Sequence, residues 1–291
     1  MVDVLVLNFN DAVTTTSFVQ SVKDYSCVRK ILVVDNHSKD NSLELLKALE
    51  NEKIIVVDSG KNGGYGFGNN FGVHYLYDNY NSEHILVCNP DVAIAEDFIS
   101  RLSEYLKNNS EYAVVAPMMN IPGKGAGCSV FKDAKILSFI MAVEQFFSKK
   151  YSPLYLDVSK MKDCRNVDVF SVAGSLFMID AKKFLDIGGY DEQIFLYFEE
   201  FILGKKCKSK NYKIALLPDL SFLHNHSVSI SKSYKSVLKR QRIYLRSYRY
   251  VVKHYFNSNI FYYALSYLMS MVSLLEVFVW SQLKRAKQKC L

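Results

Sequence analysis

Cysteine is sparse and scattered along this chain. Cys27, Cys88, Cys128, Cys164, Cys207 and Cys290 include no C-x-x-C pair, which argues against a disulfide framework or a zinc site and fits a reducing compartment. No basic-then-apolar segment precedes the first strand-like run, so no signal peptide is expected. There is no repeat of fixed period and no low-complexity run. The glycine-rich stretch Asn62-Gly63-Gly64-Tyr65-Gly66-Phe67-Gly68-Asn69-Asn70 lacks the last glycine of the G-x-G-x-x-G pattern, because Phe71 stands there. It also lacks the Gly-Lys-Ser/Thr of a phosphate-binding P-loop. Acid is nearly missing from one region. Residues 232–291 carry 12 Lys and Arg against one acid, Glu276, for a net +11, whereas residues 1–231 carry 24 against 28, for a net −4, and the two return the chain total of +7.

What is present is an alternation of apolar runs and helical spacings. Val2-Asp3-Val4-Leu5-Val6-Leu7 reads as a strand ending at Asn8-Phe9-Asn10, followed by a helix that buries Phe18, Val19 and Val22. Lys30 to Val34 runs into Asp35-Asn36-His37-Ser38, and the next helix presents Leu45, Leu46 and Leu49. Lys53 to Val57 then leads to the stretch Asn62 to Asn70, read as a loop. Strands alternating with helices predict a doubly wound, mostly parallel α/β sheet with right-handed crossovers. At 291 residues the chain can bury one substantial core plus an appendage.

The run His84-Ile85-Leu86-Val87 ends in Cys88-Asn89-Pro90-Asp91-Val92. Pro90 has no N–H and cannot extend a ladder, so the strand stops and Asp91 is aimed out at the sheet edge. Each strand thus ends in a polar, turn-forming cluster on one edge, the edge at which open α/β sheets bind ligands.

In combination and order these elements resemble glycosyltransferase family two. The residues that carry the likeness are Asp35 after Val33-Val34, the stretch Asn62 to Asn70, Asn89-Pro90-Asp91, and Gly188-Gly189-Tyr190-Asp191-Glu192 followed by Phe195-Leu196-Tyr197-Phe198-Glu199-Glu200. The likeness covers about residues 1–231 and is nearest to the rhamnosyltransferase-like branch that builds bacterial surface polysaccharides. It implies an inverting, nucleotide-sugar-dependent enzyme of the GT-A fold. A nucleotide-sugar half at about 1–118 and an acceptor half at about 119–231 would precede a basic helical extension at 232–291.

That chemistry requires a grip on the base, a cradle for the diphosphate and a base for the acceptor hydroxyl. Asp35 can accept the imide N–H of uracil or thymine; the competing reading is that it turns the chain or caps the next helix. Asn8, Asn10, Asn36, Asn62, Gly63, Gly68, Asn69 and Asn89 complete the expected nucleotide-sugar set, glycines allowing close backbone approach. Asp91 is the principal expected ligand for Mg²⁺ or Mn²⁺. Asn89 stands where many relatives carry the first Asp of a D-x-D motif, which removes one charge. The resemblance places a ligand histidine at the end of a late strand, here His224, with His226 as competitor and a structural histidine as the alternative.

For the acceptor base, Glu199-Glu200 stands where the family has Glu-Asp, and the second position, Glu200, corresponds to the base. Paired carboxylates raise one another's pKa. The alternative is a solvated acidic turn at a helix start, which the apolar flanks Ile194 to Phe198 and Phe201 to Leu203 disfavour. Gly188-Gly189 ends a helix over Lys182 to Ile187, and Tyr190, Asp191 and Glu192 are expected to line the acceptor side. Residues 120–168 are read as a variable acceptor-facing insertion.

The expected reaction moves a hexose or deoxyhexose, with L-rhamnose as the candidate, from a dTDP- or UDP-sugar to a growing, lipid-linked saccharide. Two other classes compete. A sugar nucleotidyltransferase wants a basic residue within the glycine stretch, and Lys61 lies just outside it. A nucleic-acid-binding tail is disfavoured by Ile260 to Trp280, 21 mostly apolar residues that nucleic acid would leave unburied. In that segment Phe261, Leu265, Leu268, Val272, Leu275 and Val279 share one helical face, with Ser266, Ser270 and Ser273 on another. With the basic residues from Lys232 to Lys253, this pattern predicts a helix lying on an anionic membrane, placing the protein on the cytoplasmic face. Packing of the apolar face on the catalytic domain, or on a second copy in a homodimer, is the alternative.

Overall fold

The computed structural model describes residues 1–123, 125–127, 130–143, 154–156, 158, 164–225 and 236–289, the side chains of 284–289 excepted. His226, Lys232 and Lys235 lie outside the described residues, as do the side chains of Lys284, Arg285, Lys287 and Lys289.

The apolar runs form the strands expected of them. In chain order the elements are β1 (Val2–Asn8), α1 (Ala12–Val22), β2 (Val28–Asp35), α2 (Ser42–Lys47), β3 (Ile54–Asp58), α3 (Tyr65–Tyr80), β4 (His84–Cys88), β5 (Val92–Ala93), α4 (Glu96–Asn108) and β6 (Tyr112–Ile121). Then come β7 (Gly125–Ala126), β8 (Val130–Phe131), α5 (Ile136–Met141), β9 (Val167–Val169), β10 (Ser171–Val172), β11 (Leu176–Asp180) and α6 (Ala181–Asp186). The chain closes with α7 (Glu199–Ser209), β12 (Lys213–His224), α8 (Val237–Tyr255) and α9 (Ile260–Lys289).

The main sheet has the order β3-β2-β1-β4-β11-β6-β12-β5. Its first four strands are parallel, β11 is antiparallel to both neighbours, and β6 and β12 are again parallel. Strands buried on both faces need apolar residues at every position. Side chains of β1 accordingly alternate between two cores, Val2, Val4 and Val6 joining α1 and α4 on one face, and Leu5 joining α3 on the other. Chain order reverses between β1 and β4, so the crevice at their carboxyl ends is the expected place for a ligand.

Three expectations about packing change. In α2, Leu46 is buried and Leu43, with Leu49 just beyond the helix, packs partly against the same core, but Leu45 is turned to solvent. The stretch read as a loop over Asn62 to Asn70 is helical from Tyr65 onward. The C-terminal extension is also no separate appendage. Leu245, Tyr248, Val251 and Val252 of α8 share a core with Phe139, Phe198 and Phe201.

The orientation of α9 overturns one of the two alternatives for its apolar face. Ser266, Ser270 and Ser273 are fully buried, whereas Phe261, Leu268 and Leu275 are each 60% or more exposed. Each serine hydroxyl is satisfied, Ser266 donating to Tyr263 O, Ser270 to Ser266 O and Ser273 to Val143 O, while Gln241 of α8 donates to Ser273 Oγ. Small side chains let the helix approach closely, so the serine stripe faces the protein beside Met269, Leu274 and Val277, while most of the expected apolar stripe faces out. The apolar face therefore does not pack on the catalytic domain. Leu265 alone of the expected six is partly buried in the shared core.

Candidate active site

The tips of β1, β2 and β3 stand level, Asn8 beside Asp35 and Asp35 beside Asp58. Asp35 is 1% exposed. Its Oδ1 accepts from Asn8 Nδ2 at 2.7 Å and Ser38 Oγ at 2.6 Å, and its Oδ2 from Ser38 N at 2.8 Å. Asn8 is sealed as well, since its Oδ1 accepts from Thr15 Oγ1. Asn10, in the left-handed region at φ 53°, donates its N–H to Ser38 Oγ and accepts from Lys39 N at its Oδ1. The contacts of Asp35 are those of a turn organiser, the competing sequence reading. Its Oδ1 already accepts two hydrogen bonds, whereas Oδ2 accepts one and retains a lone pair for another donor.

The glycine stretch folds for packing rather than as an open cradle. Asn36 Nδ2 donates to Asn62 Oδ1 and Gly64 O, and Gly64 N donates to Asn62 Oδ1. Gly63 N donates to Lys61 O, and Tyr65 N, at the start of α3, to Phe195 O. Gly64 has φ 96°, and a Cβ there would sit 2.1 Å from Phe195 O. A Cβ on Gly68 would meet Leu7 of β1 at 2.4 Å. Gly68 is therefore buried inside a helix against the sheet. Asn69 is also buried, its Nδ2 on Tyr65 O and its Oδ1 without a donor among the described residues. Lys61 Nζ lies 4.5 Å from the centre of the Phe67 ring.

Across the crevice, β12 pairs with β5 so that His224 lies opposite Val92. This pairing brings His224 Nε2 to 3.3 Å from Asp91 Oδ1. Asp91 is nearly buried and Oδ1 has no hydrogen-bond donor among the described residues. Asn89, at the end of β4, donates its N–H to Ser175 O at 2.8 Å.

Glu199 and Glu200 open α7. The two residues before them, Tyr197 and Phe198, have φ 74° and 71°, a left-handed conformation uncommon for bulky side chains. Tyr244 of α8 holds both, its ring centre 5.5 Å from that of Tyr197 and 4.8 Å from that of Phe198. Glu199 is 2% exposed and its Oε1 has no donor among the described residues. Burial pushes its carboxyl well above the usual carboxylate range, and the neighbouring Glu200 charge pushes it further. Burial also raises Glu200, but backbone N–H groups pull it back. One of them is Gly174 N, which donates to Glu200 Oε1 at 2.9 Å. The pair is thus at a helix start, as the alternative reading held, but Glu199 is buried and Glu200 half-buried.

The three residues expected on the acceptor side do not act alike. Tyr190 is turned into the core against Tyr65 and Phe184. Asp191 accepts from Tyr250 Oη at 3.0 Å and Tyr255 Oη at 2.6 Å, and so moors α8. Glu192 is exposed, with Asn70 Nδ2 on its Oε1.

A match to the family described as Glycosyl transferase family 2 runs over residues 3–172, more than half of the chain. The chain belongs to glycosyltransferase family 2. It is 28% identical over 226 residues to the low-salt glycan biosynthesis hexosyltransferase Agl10 of Haloferax volcanii, covering 76% of this chain and 68% of that one. It is 24% identical over 224 residues to the rhamnosyltransferase WbbL of Escherichia coli, covering 74% and 81%. Among solved structures it resembles GalNAc-T7, crystallised with UDP, GalNAc and Mn²⁺, at a TM-score of 0.64 and 15% identity. The likeness covers 88% of this chain but only 49% of that one, and at such identity it shows the fold, GT-A, alone.

In this glycosyltransferase the stretch Gly174-Ser175 joins the two halves of the site. Gly174 N holds Glu200, Gly174 O accepts from Tyr65 Oη at 2.5 Å, and Ser175 O holds the Asn89 N–H two residues before Asp91. Sequence reasoning gave Tyr65 no role of its own and did not place Gly174 against the carboxylate pair. The available signal was a lone glycine directly before a strand, which marks close approach of another group.

Proposed function

We propose that this glycosyltransferase carries out inverting transfer from a dTDP- or UDP-sugar, L-rhamnose being the candidate sugar, to a lipid-linked saccharide. The observation that carries the reading is the Gly174-Ser175 bridge, which ties a partly exposed, hydrogen-bonded carboxylate to the Asp91 loop. Glu200 would take the acceptor hydroxyl proton as the sugar carbon is attacked from the face opposite the leaving diphosphate. Its raised pKa, caused by burial, suits a group that must hold a proton after transfer. Glu199, raised further, would remain protonated and spare its neighbour a second charge.

Mg²⁺ or Mn²⁺ fits beside Asp91, because Asp91 Oδ1 is a buried oxygen without a hydrogen-bond donor among the described residues and His224 Nε2 is adjacent. When bound, the ion would neutralise charge developing on the diphosphate. No group of three or more acidic, His or Cys side chains could hold a metal among the described residues, so substrate oxygens would complete its shell, as is usual for Mg²⁺. Asn89 would contribute a neutral oxygen. Asp35, Asn10 and Asn36 would frame the pyrimidine and ribose, reached from the loop that Ser38 closes.

The apolar face of α9 supports attachment to the cytoplasmic surface of a membrane. Over Ile260–Leu283 the mean hydropathy is 1.5 and the helix is long enough to cross a bilayer. The serine stripe packed on the protein favours a helix lying in the interface, with the basic residues of α8 nearby. The experiment on the reaction is a panel of pyrimidine and purine nucleotide sugars with Mn²⁺, with the product anomer read by NMR. A dTDP- or UDP-sugar is expected to serve best with inverted configuration. A purine donor as the best substrate, or retention, would overturn the reading.

A further inference from the structure

A second cleft, of about 690 Å³, lies between α8, the start of α9 and the 192–195 segment. Arg246, Arg249 and Lys253 of α8 line it, spaced three and four residues apart and therefore on one helix face. Glu192 is the one carboxylate among the lining residues, so three permanent cations face a single anion. None of the three forms an ion pair with a carboxylate among the described residues. Their helix is fixed in place by Ser247 Oγ on Leu196 O and by the two tyrosines on Asp191.

The two ends of the cleft differ. The α9 wall presents Tyr263 and Tyr267, with Lys253 Nζ 5.7 Å from the first ring centre and the Arg249 guanidinium 4.8 Å from the second. Ile260 and Met271 lie on the same helix face as these tyrosines by spacing, and both are strongly exposed. The wall thus runs directly into the apolar outer surface of α9. Gly63 and Phe195 line the other end, and Phe195 O anchors the start of α3 beside the carboxylate site.

We infer that this cleft binds the diphosphate through which a lipid carrier holds the acceptor. The carrier chain would lie along α9 and the saccharide would point toward Glu200. The inference rests on the lipid-linked reading of the acceptor given above. A neutral acceptor would leave the cations uncompensated, and a soluble anionic one would leave the adjoining apolar wall unused. The diphosphate of the donor is a second source of the same chemistry, and the experiment separates the two.

Farnesyl diphosphate is titrated calorimetrically into the full chain in EDTA, which removes metal-assisted donor binding. It is expected to bind at least about tenfold tighter than farnesol or inorganic pyrophosphate. The double variant Arg246→Ala/Lys253→Ala should weaken it at least about tenfold, the usual loss with charged hydrogen bonds. Both side chains are exposed, so the melting temperature should hold, and affinity for UDP with Mn²⁺ should stay within about twofold. Unchanged farnesyl diphosphate binding in the variant would overturn the proposal. A parallel loss of UDP affinity would also overturn it by assigning the cleft to the donor. Flotation with vesicles tests the membrane reading independently. Binding that depends on Arg246 and Lys253 in a protein that fails to float would retain the cleft and remove the membrane role.

Discussion

Replacing Gly174 by alanine separates catalytic geometry from stability. The added Cβ would lie 2.4 Å from Glu200 Oε1 and 3.2 Å from Tyr65 Oη, while ordinary contact begins at 3.4 Å. The Glu200 carboxylate must therefore retreat by about 1 Å. Gly174 is not among the residues with positive φ, so alanine can adopt its backbone. The obstacle is the end of a flexible side chain, and the expected loss of stability is within about 1 kcal/mol. Catalysis is less tolerant, because a misplacement of about 1 Å can lower the rate by about 10²-fold, or about 2.7 kcal/mol in the barrier. The assay is the initial rate of nucleoside diphosphate release at saturating donor and acceptor, beside a thermal melt and a donor titration. The expected result is a kcat about 10²-fold lower with donor affinity nearly unchanged. In a Glu200→Gln background the same substitution should have little further effect, since the two act through one contact. Near-native kcat, or an equal loss in that background, would refute the argument.

Glu200→Gln should fold normally, bind donor and lose about 10²–10⁴-fold in transfer; a crippled Glu199→Gln beside a near-native Glu200→Gln would reverse the assignment. Because burial raises the Glu199 pKa in the folded state, the folded protein keeps a proton that the unfolded chain releases above about pH 4.3. Stability is therefore lost as pH rises from there through the folded pKa. Glu199→Gln should raise the melting temperature at pH 8 relative to wild type but not at pH 3.5, and a constant difference at both would contradict this. Leu268→Ser with Leu275→Ser, both strongly exposed, should leave the melting temperature in place. With about 1.5–3 kcal/mol per buried leucine, flotation with anionic vesicles should fall by about 10²-fold or more. Equal flotation of the variant would exclude insertion of this face.

The residues and their local pattern determined the strands and the edge on which their tips meet. Unbroken Ile, Leu and Val runs suit only strands buried on both faces, and Pro90 stops β4 whatever surrounds it. The burial of Glu199 was legible from its apolar flanks, and the charge asymmetry of the tail needed only counting. Contacts between distant segments decided the rest. Gly66 and Gly68 read as loop residues because glycine is a poor helix former, yet they lie in α3, where a Cβ would crowd Tyr190 at Gly66 and collide with Leu7 at Gly68. Asp191 became the mooring of α8 through Tyr250 and Tyr255, which stand far along the chain. The two faces of α9 were visible as a period, but a period does not say which face turns inward. That choice came from the close approach that serines allow against α8 and Val143, and it left the apolar face outside.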